Sequence, residues 1–184
     1  MKWVLSILLL LNTVSSHAQY NDDKIKTALR KNNDRFIGDK FGSFSGRSVD
    51  DQLYTNSNFQ NKITFVSFWF SACIPCVNEF EELKKLYSNY NANKGFQFLS
   101  FTFDPVNVAA NTKLAYNLPY QIINLPDSQC VKLLYGKGYP TNMIIDESGK
   151  IVKLFDGRDV YFEKDYFSNR IYPLIDSMLV KLNN

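Results

Sequence analysis

Histidine is almost absent from this chain of 184 residues, and cysteine is scarce. The sequence has one histidine, His17, and three cysteines, Cys73, Cys76 and Cys130. A closed zinc site needs four ligands, mostly from cysteine and histidine, and His17 lies in a segment that we expect to be removed. The remaining ligands are one too few, and covalent haem attachment would need a histidine where Val77 stands. We therefore expect no metal site and no haem.

Dense runs of positive charge are also lacking. The formal net charge is only +3, and the lysines and arginines are scattered along the chain. Nucleic-acid-binding proteins concentrate their basic residues on one face or in one run, so we expect no nucleic-acid partner. A hydrophobic content of 45% with 15% aromatic residues is typical of a packed globular protein and excludes a disordered chain.

No apolar run reaches the roughly 20 residues that a membrane-spanning helix needs. The first 18 residues instead have the three parts of a secretory signal peptide: Lys2, a short apolar core over residues 3–11, and small residues Ser16 and Ala18 before Gln19. We expect cleavage there, which predicts a secreted, soluble protein in an oxidising compartment such as the periplasm. Residues 19–36 are interpreted as an N-terminal helix and linker, and residues 37–184 as one domain.

The most informative stretch is FVSFWFSACIPCVNEF, residues 65–80. A β-prone aromatic run leads through two small residues to Cys73 and Cys76, and a helical pattern follows, which is typical of a dithiol redox site. Cys73 at a helix N-terminus would be favoured as a thiolate by unpaired N–H groups and the helix dipole. Pro75 suits the first helical turn, and Cys76, one turn further in, would be the resolving thiol. A purely structural disulfide is the alternative, although so small a ring removes little unfolded-state entropy.

The rest of the chain predicts alternating strands and helices, with one region that is hard to interpret. Apolar periodicity and turn residues give the boundaries. The predicted elements are a helix over 22–31, β-like pieces at 41–44 and 52–55, a strand over 62–70, a helix over 75–93, a strand over 96–103, a helix over 108–116, an irregular stretch to 125, a helix capped by Ser128, a hairpin of 142–146 and 151–155, and one helix over 161–182.

Two motifs in this order resemble the secreted thioredoxin-like family of TlpA/ResA-type thiol-disulfide oxidoreductases, with its related AhpC/TSA domains. They are FWFSACIPCVNEF and, about sixty residues later, GYPTNMIIDESGKIV. The resemblance covers residues 37–184. It implies an α/β thioredoxin fold: a central mixed β-sheet flanked by helices, with an N-terminal β-hairpin extension and an insertion, residues 106–125, after the βαβ unit.

The resemblance also implies roles for single residues. Cys73 matches the nucleophile, Cys76 the resolving cysteine, and Pro75 the proline between them. Trp69 matches the family's tryptophan ahead of the site, and it can equally be a core aromatic.

Pro140 matches the family's cis-proline. In this family the bond brings the backbone of the preceding residue, here Tyr139, beside the thiols, where it can pair with a substrate strand. The alternative is an ordinary turn proline.

Several positions depart from the family or stay ambiguous. Ser67 stands where thioredoxin has a buried aspartate, Ala72 replaces the tryptophan before the first cysteine, and Ile74 is uncharged. Glu79 matches a common glutamate, which could relay a proton or complement the helix dipole. Cys130 is either a small buried residue or a third reactive thiol.

The leading functional prediction is thiol-disulfide exchange with secreted or periplasmic client proteins, more as a reductant than as an oxidant. The partners would be clients that carry disulfides and a membrane or periplasmic electron donor. The redox-active disulfide would be the only redox group, so no cofactor is expected.

The alternatives are a thiol-dependent peroxidase, a metallochaperone and a non-enzymatic binding module. A peroxiredoxin site has the pattern P-x-x-x-[ST]-x-x-C. Counting back from Cys73 gives Phe70 and Val66, and counting back from Cys76 gives Cys73 and Trp69, so neither frame fits. Copper chaperones on this fold use a wider cysteine spacing and a distant histidine, which this chain does not have.

Overall fold

The computed structural model describes residue 27 and residues 33–183. The predicted signal peptide and nearly all of the predicted helix over 22–31 lie outside these residues, so both stay predictions, as do the domain boundaries. The residues from Phe36 onward form one compact unit. Within the described part of the chain, every helix is too short or too polar to cross a bilayer.

Seven strands and five α-helices make up this unit, together with one 3₁₀ turn and one π-helical segment. In chain order they are β1 (Ser45–Ser48), β2 (Leu53–Thr55), the 3₁₀ turn (Asn56–Phe59), β3 (Ile63–Phe68), α1 (Ile74–Tyr90), β4 (Phe96–Thr102), α2 (Val106–Ala115), β5 (Gln121–Asn124), α3 (Asp127–Leu133), β6 (Thr141–Ile145), β7 (Ile151–Asp156), α4 (Gly157–Phe162), the π-helical segment (Phe167–Ile171) and α5 (Tyr172–Leu182).

The strands form one mixed sheet in the order β2-β1-β5-β4-β3-β6-β7. Strand β3 pairs in parallel with β4 and antiparallel with β6, and β4 pairs in parallel with β5. All six residues of β3 are buried, as expected for a strand covered on both faces. The predicted mixed sheet flanked by helices is thus confirmed. Strand β3, in the interior of this sheet, leads into the loop with the two cysteines.

The predicted N-terminal hairpin exists, but the assignment of residues 41–44 to it is wrong. Strand β1 begins at Ser45 and pairs with β2 on one side and β5 on the other. Phe41 and Phe44 are buried instead, and both rings lie against Phe101 of the sheet, with centroids 6.3 and 5.0 Å away. The aromatic residues that suggested a strand serve to cover one face of the sheet.

The insertion at 106–125 is more regular than predicted. Residues 121–124 form β5 between β1 and β4, where an irregular stretch was expected. Ile122 and Ile123 are both fully buried, and Pro119 and Pro126 bound the strand without interrupting it. Helix α3 also begins two residues earlier than predicted: Pro126 occupies the N-cap position, so the prediction that Ser128 caps it is wrong.

The C-terminal region was predicted as one helix and is divided into three. Helix α4, the π-helical segment and α5 follow one another after β7. Pro173 lies in the first turn of α5, where its missing N–H would have had no partner inside the helix. Pro173 therefore belongs to the start of the regular helix α5.

Candidate active site

The two cysteines of the C-x-x-C motif form a disulfide at the N-terminus of α1. Their Cα atoms lie 5.3 Å apart. Cys73 is the N-cap residue, and its Sγ accepts a hydrogen bond from the Cys76 N–H at 3.2 Å. Pro75 lies in the first turn, where a lost N–H costs no intrahelical bond. The first sulfur therefore lies at the positive end of the helix dipole, where a thiolate would be stabilised.

Both cysteines are buried, Cys76 more completely than Cys73. Cys76 is 1% exposed and Cys73 is 5% exposed. Ile74 between them is 74% exposed, so an apolar side chain projects from the site into solvent. A partner would therefore meet Ile74 and Cys73 before Cys76.

The loop that carries Cys73 is tied to the end of strand β4. The Trp69 N–H donates to the Phe101 carbonyl at 3.1 Å, and its indole N–H donates to the Ser100 hydroxyl. Trp69 is also a buried core residue. The backbone N–H of Ser71 donates to Oδ2 of Asp104 at 2.6 Å. Asp104 was not identified from the sequence as part of the site, because Asp104 and Pro105 only marked the end of the predicted strand over 96–103.

The Tyr139–Pro140 peptide bond is cis. Pro75 of the disulfide turn and the Tyr139–Pro140 pair line the same cavity of about 760 Å³. The Tyr139 ring packs edge-on against Phe70, with ring centroids 5.2 Å apart. The structure therefore brings together the residues around the C-x-x-C and G-x-P-T motifs, which are about sixty positions apart in the chain.

Glu79 forms part of the wall of this cavity and is 8% exposed. Its Oε2 accepts a hydrogen bond from the Asn142 amide at 3.0 Å. Burial raises the pKa of Glu79 to about 7, the Asn142 bond partly opposes this, and the charge of Asp156 adds to it. Glu79 lies beyond the first turn of α1, where the dipole effect has fallen off, so complementing the dipole does not account for it.

Asp156 also lines this cavity and stays charged because of a neighbouring cation. Burial alone would raise its pKa, but hydrogen bonds from Arg158 hold the pKa of this carboxyl below its usual range. The Arg158 guanidinium lies 2.7 Å from Asp156 Oδ2. The cavity thus has one carboxyl that is ionised at neutral pH and one, Glu79, that can exchange a proton there.

Polar residues lie under the start of α1 where a hydrophobic core would be expected. Ser67 pairs with Asn142 across β3 and β6 and with Ser100 across β3 and β4, and all three are buried. Asn142 was not identified from the sequence, although a polar residue within a buried strand could have indicated it. Ser67 cannot titrate, so Glu79 is the titratable group of this polar cluster.

Cys130 is a free and fully buried thiol in α3. Burial raises its pKa to about 11, while a neighbouring Tyr139 hydroxyl acts in the opposite direction. At neutral pH it is therefore a protonated side chain inside the core. This agrees with the interpretation of Cys130 as a small buried residue.

Two relatives of this chain carry the name thiol-disulfide oxidoreductase ResA. Thiol-disulfide oxidoreductase ResA of Bacillus thuringiensis subsp. konkukian is 23% identical over 138 residues, covering 74% of this chain and 79% of that protein. ResA of Halalkalibacterium halodurans is 23% identical over 159 residues, covering 83% and 84%.

Solved structures share the fold. A thiol-disulfide oxidoreductase from Bacteroides fragilis superimposes with a TM-score of 0.62 at 22% identity, covering 73% of this chain and 98% of that one. A thiol:disulfide interchange protein from Bacteroides sp. has a TM-score of 0.58 at 24% identity, covering 74% and 92%. These likenesses establish the thioredoxin fold for this chain.

The AhpC/TSA family model matches residues 37–154. This match spans most of the chain, includes both cysteines and Pro140, and ends within β7. The chain belongs to the AhpC/TSA family.

Proposed function

We propose that this protein is a thiol-disulfide oxidoreductase that exchanges disulfides with client proteins through Cys73 and Cys76. The observation that carries the proposal is the Cys73–Cys76 disulfide at the N-terminus of α1, together with the cis Tyr139–Pro140 bond, which lines the same cavity as Pro75 between the two cysteines. Relatives named thiol-disulfide oxidoreductase support the same activity.

The first step is attack by the Cys73 thiolate on a disulfide of the client. A bond forms between Cys73 Sγ and one client sulfur, and the second client sulfur leaves as a thiolate. The helix N-terminus stabilises the attacking thiolate, and Cys73 is the more exposed of the two cysteines. The backbone of Tyr139 would pair with the client strand beside the sulfur.

The second step is attack by Cys76 on Cys73 Sγ. The Cys73–Cys76 bond forms again, the bond between Cys73 Sγ and the first client sulfur breaks, and that client sulfur leaves as a thiolate. The client has then gained two electrons, and the protein has returned to the disulfide state that the structure shows. Two electrons from a donor must reduce it before the next cycle.

Glu79 is suited to take the proton that Cys76 loses in the second step. The two residues are three positions apart on α1, and side chains at this spacing are neighbours on a helix. Because burial raises the pKa of Glu79 to about 7, the carboxyl can accept and release a proton near neutral pH. The side-chain amide of Asn142 orients the Glu79 carboxyl by donating a hydrogen bond to it.

We further propose that the protein works after secretion, in the periplasm, as a reductant. The support is the signal-peptide pattern of residues 1–18. An oxidising compartment would supply disulfide-bearing clients, and a membrane or periplasmic donor would return the electrons. The redox-active disulfide itself would serve in place of any separate cofactor.

The experiment is a redox titration of the protein from Gln19 onward, carrying Cys130→Ser so that only two thiols are counted. Samples are equilibrated in glutathione buffers of graded poise, and free thiols are scored. We expect Cys73 and Cys76 to titrate together as one two-electron couple. The midpoint then decides between reductant and oxidant.

Two variants give the matched control. Cys76→Ser should accumulate mixed disulfides with glutathione, because the resolving thiol is gone, whereas Cys73→Ser should not. A pair that never opens at any poise would identify a structural disulfide and refute the mechanism. Rapid hydrogen peroxide consumption by the reduced protein would instead favour the peroxidase alternative.

A further inference from the structure

Asp104 is a buried carboxylate immediately beyond strand β4. Asp104 is only 7% exposed. Oδ2 accepts the backbone N–H of Ser71 at 2.6 Å, and a hydrogen bond to an ionised acceptor is stronger than one to a neutral acceptor. Ser71 lies two residues before Cys73, so the carboxylate holds the loop that delivers the nucleophile.

Asp104 is itself held from two directions. Its N–H donates to the Thr102 hydroxyl at 3.2 Å, and its carbonyl accepts a hydrogen bond from the side-chain amide of Asn124. Asn124 is the last residue of β5. The backbone of Asp104 is therefore tied to the ends of two strands, β4 and β5, and its carboxylate extends from this fixed backbone to the Ser71 N–H.

The anchor adds to other ties on the same loop. Trp69 is joined to β4 by its own backbone N–H, and the Cys73 N–H donates to the Phe70 carbonyl at 3.0 Å. Residues 69–73 thus form a short bridge between β3 and α1. Its start is fixed to β4 at Trp69, and its middle is fixed to Asp104 at Ser71.

We propose that Asp104 is a positioning residue for the dithiol, which makes the Cys73–Cys76 disulfide more stable and so the reduced protein more strongly reducing. Two physical effects act in this direction. A fixed loop keeps the two sulfurs close and raises their effective concentration for each other, which favours ring closure. The Asp104 carboxylate lies at the Ser71 N–H, two residues before Cys73, where a negative charge disfavours a Cys73 thiolate, and the thiolate exists only in the reduced protein.

This inference rests on the proposed function, and it gives the direction in which Asp104 shifts the reduction potential of the Cys73–Cys76 couple. Reduction breaks the Cys73–Cys76 bond, takes up two electrons and two protons, and converts two glutathione molecules to glutathione disulfide. An anchor that stabilises the disulfide shifts this equilibrium toward the oxidised protein. It therefore lets the reduced protein pass its electrons on to clients more readily.

The test is the glutathione titration repeated with Asp104→Asn and Asp104→Ala, each in the Cys130→Ser background. Asparagine keeps a carbonyl that can accept the Ser71 N–H but removes the charge, whereas alanine removes both. We expect the equilibrium constant for oxidation by glutathione disulfide to fall about tenfold for Asp104→Asn, which corresponds to a potential about 30 mV higher. The fall should be larger for Asp104→Ala.

Asp146→Asn is the matched control. Asp146 also accepts backbone N–H groups with its carboxylate, from Ser148 at 2.9 Å and Lys150 at 2.8 Å, but it lies in the turn between β6 and β7. A general loss of stability would appear in both the Asp104 and the Asp146 variants, whereas only the Asp104 substitutions should change the redox equilibrium. We expect Asp146→Asn to stay within twofold of the parent protein.

The outcomes separate this inference from the proposed function. If the parent protein cycles and both Asp104→Asn and Asp104→Ala coincide with it, Asp104 has no positioning role. A lower potential in Asp104→Asn would also overturn the inference, because the sign would be opposite. If the parent protein itself never cycles, the proposed function fails and this inference fails with it.

Discussion

The environment of Glu79 differs strongly from that of a free side chain. Glu79 is a buried residue of α1 that accepts a hydrogen bond from the Asn142 amide, and its burial raises its pKa to about 7. A carboxyl that resists ionisation in the folded protein couples stability to pH. This residue therefore permits a test that does not depend on any client.

We expect Glu79→Gln to stabilise the protein at high pH and to have little effect at low pH. At pH 4 both the folded and the unfolded protein carry a protonated Glu79. Between the ordinary value of 4.5 and about 7 the unfolded chain ionises first, so stability from this group falls as the pH rises and then levels off. The gain at pH 8 should approach about 3 kcal/mol, from the size of the pKa shift.

Urea denaturation of the oxidised protein at pH 4 and pH 8 measures this gain. Glu81→Gln is the control, because Glu81 lies on the same helix with its side chain largely exposed. It should show no comparable dependence on pH. Equal gains for Glu79→Gln at both pH values would contradict the raised pKa.

At the scale of elements, the β1–β2 hairpin is joined to the main sheet by close backbone packing at Gly46. A Cβ built there would lie 2.8 Å from the Asn124 carbonyl and 2.7 Å from Ile123. Both contacts are on β5, and Asn124 also bonds to Asp104. The hairpin therefore packs on the strand that supports the anchor of the active-site loop.

Gly46→Ala should destabilise the protein by about 1–3 kcal/mol, because the added methyl group forces β1 away from β5. Thermal or urea denaturation measures the loss. Gly138→Ala is the control, since nothing lies within 4 Å of a Cβ at that position. Unchanged stability in Gly46→Ala would mean that the hairpin moves freely relative to the sheet.

At the scale of the whole molecule, α1, the helix that begins at the two cysteines, is fixed at both ends. Its N-terminus is fixed by the loop from β3, and its remaining length is fastened to α5. The Tyr90 hydroxyl donates to Asp176 at 2.8 Å, and the Tyr172 hydroxyl donates to Glu82 at 2.9 Å. These bonds are distant in sequence, so they hold the C-terminal part of the chain against the helix that carries the cysteines.

Tyr172→Phe should lower the free energy of unfolding by about 1–3 kcal/mol, since it removes a hydrogen bond to a charged group and keeps the ring. The redox midpoint should not change, because the bond lies far along α1 from the dithiol. Chemical denaturation and the glutathione titration on the same preparation test both statements. A shifted midpoint would show that α5 influences the sulfurs through the helix.

The dithiol site was predictable because the features that define it are local. The order of strand, small residues, Cys73, Pro75 and Cys76 lies within a few positions, and helix-terminus physics acts over the same range. Strand β3 and the β6–β7 hairpin were likewise evident from periodicity and turn residues. By contrast, strand β5 was not predicted. It is only four residues long, lies between Pro119 and Pro126, and becomes a strand only because β1 and β4 lie on either side of it.

Local residue order was enough to predict the cysteine pair, its place at the start of a helix and the proline in the second motif. Every feature that depends on residues distant in the chain is set by the tertiary fold. It buried Glu79 beside Asn142, brought Tyr139 and Pro140 to the cavity at the disulfide turn, and placed Asp104 against the Ser71 backbone. The physical reason is that burial and hydrogen bonding depend on spatial neighbours, and spacing along the chain does not specify them.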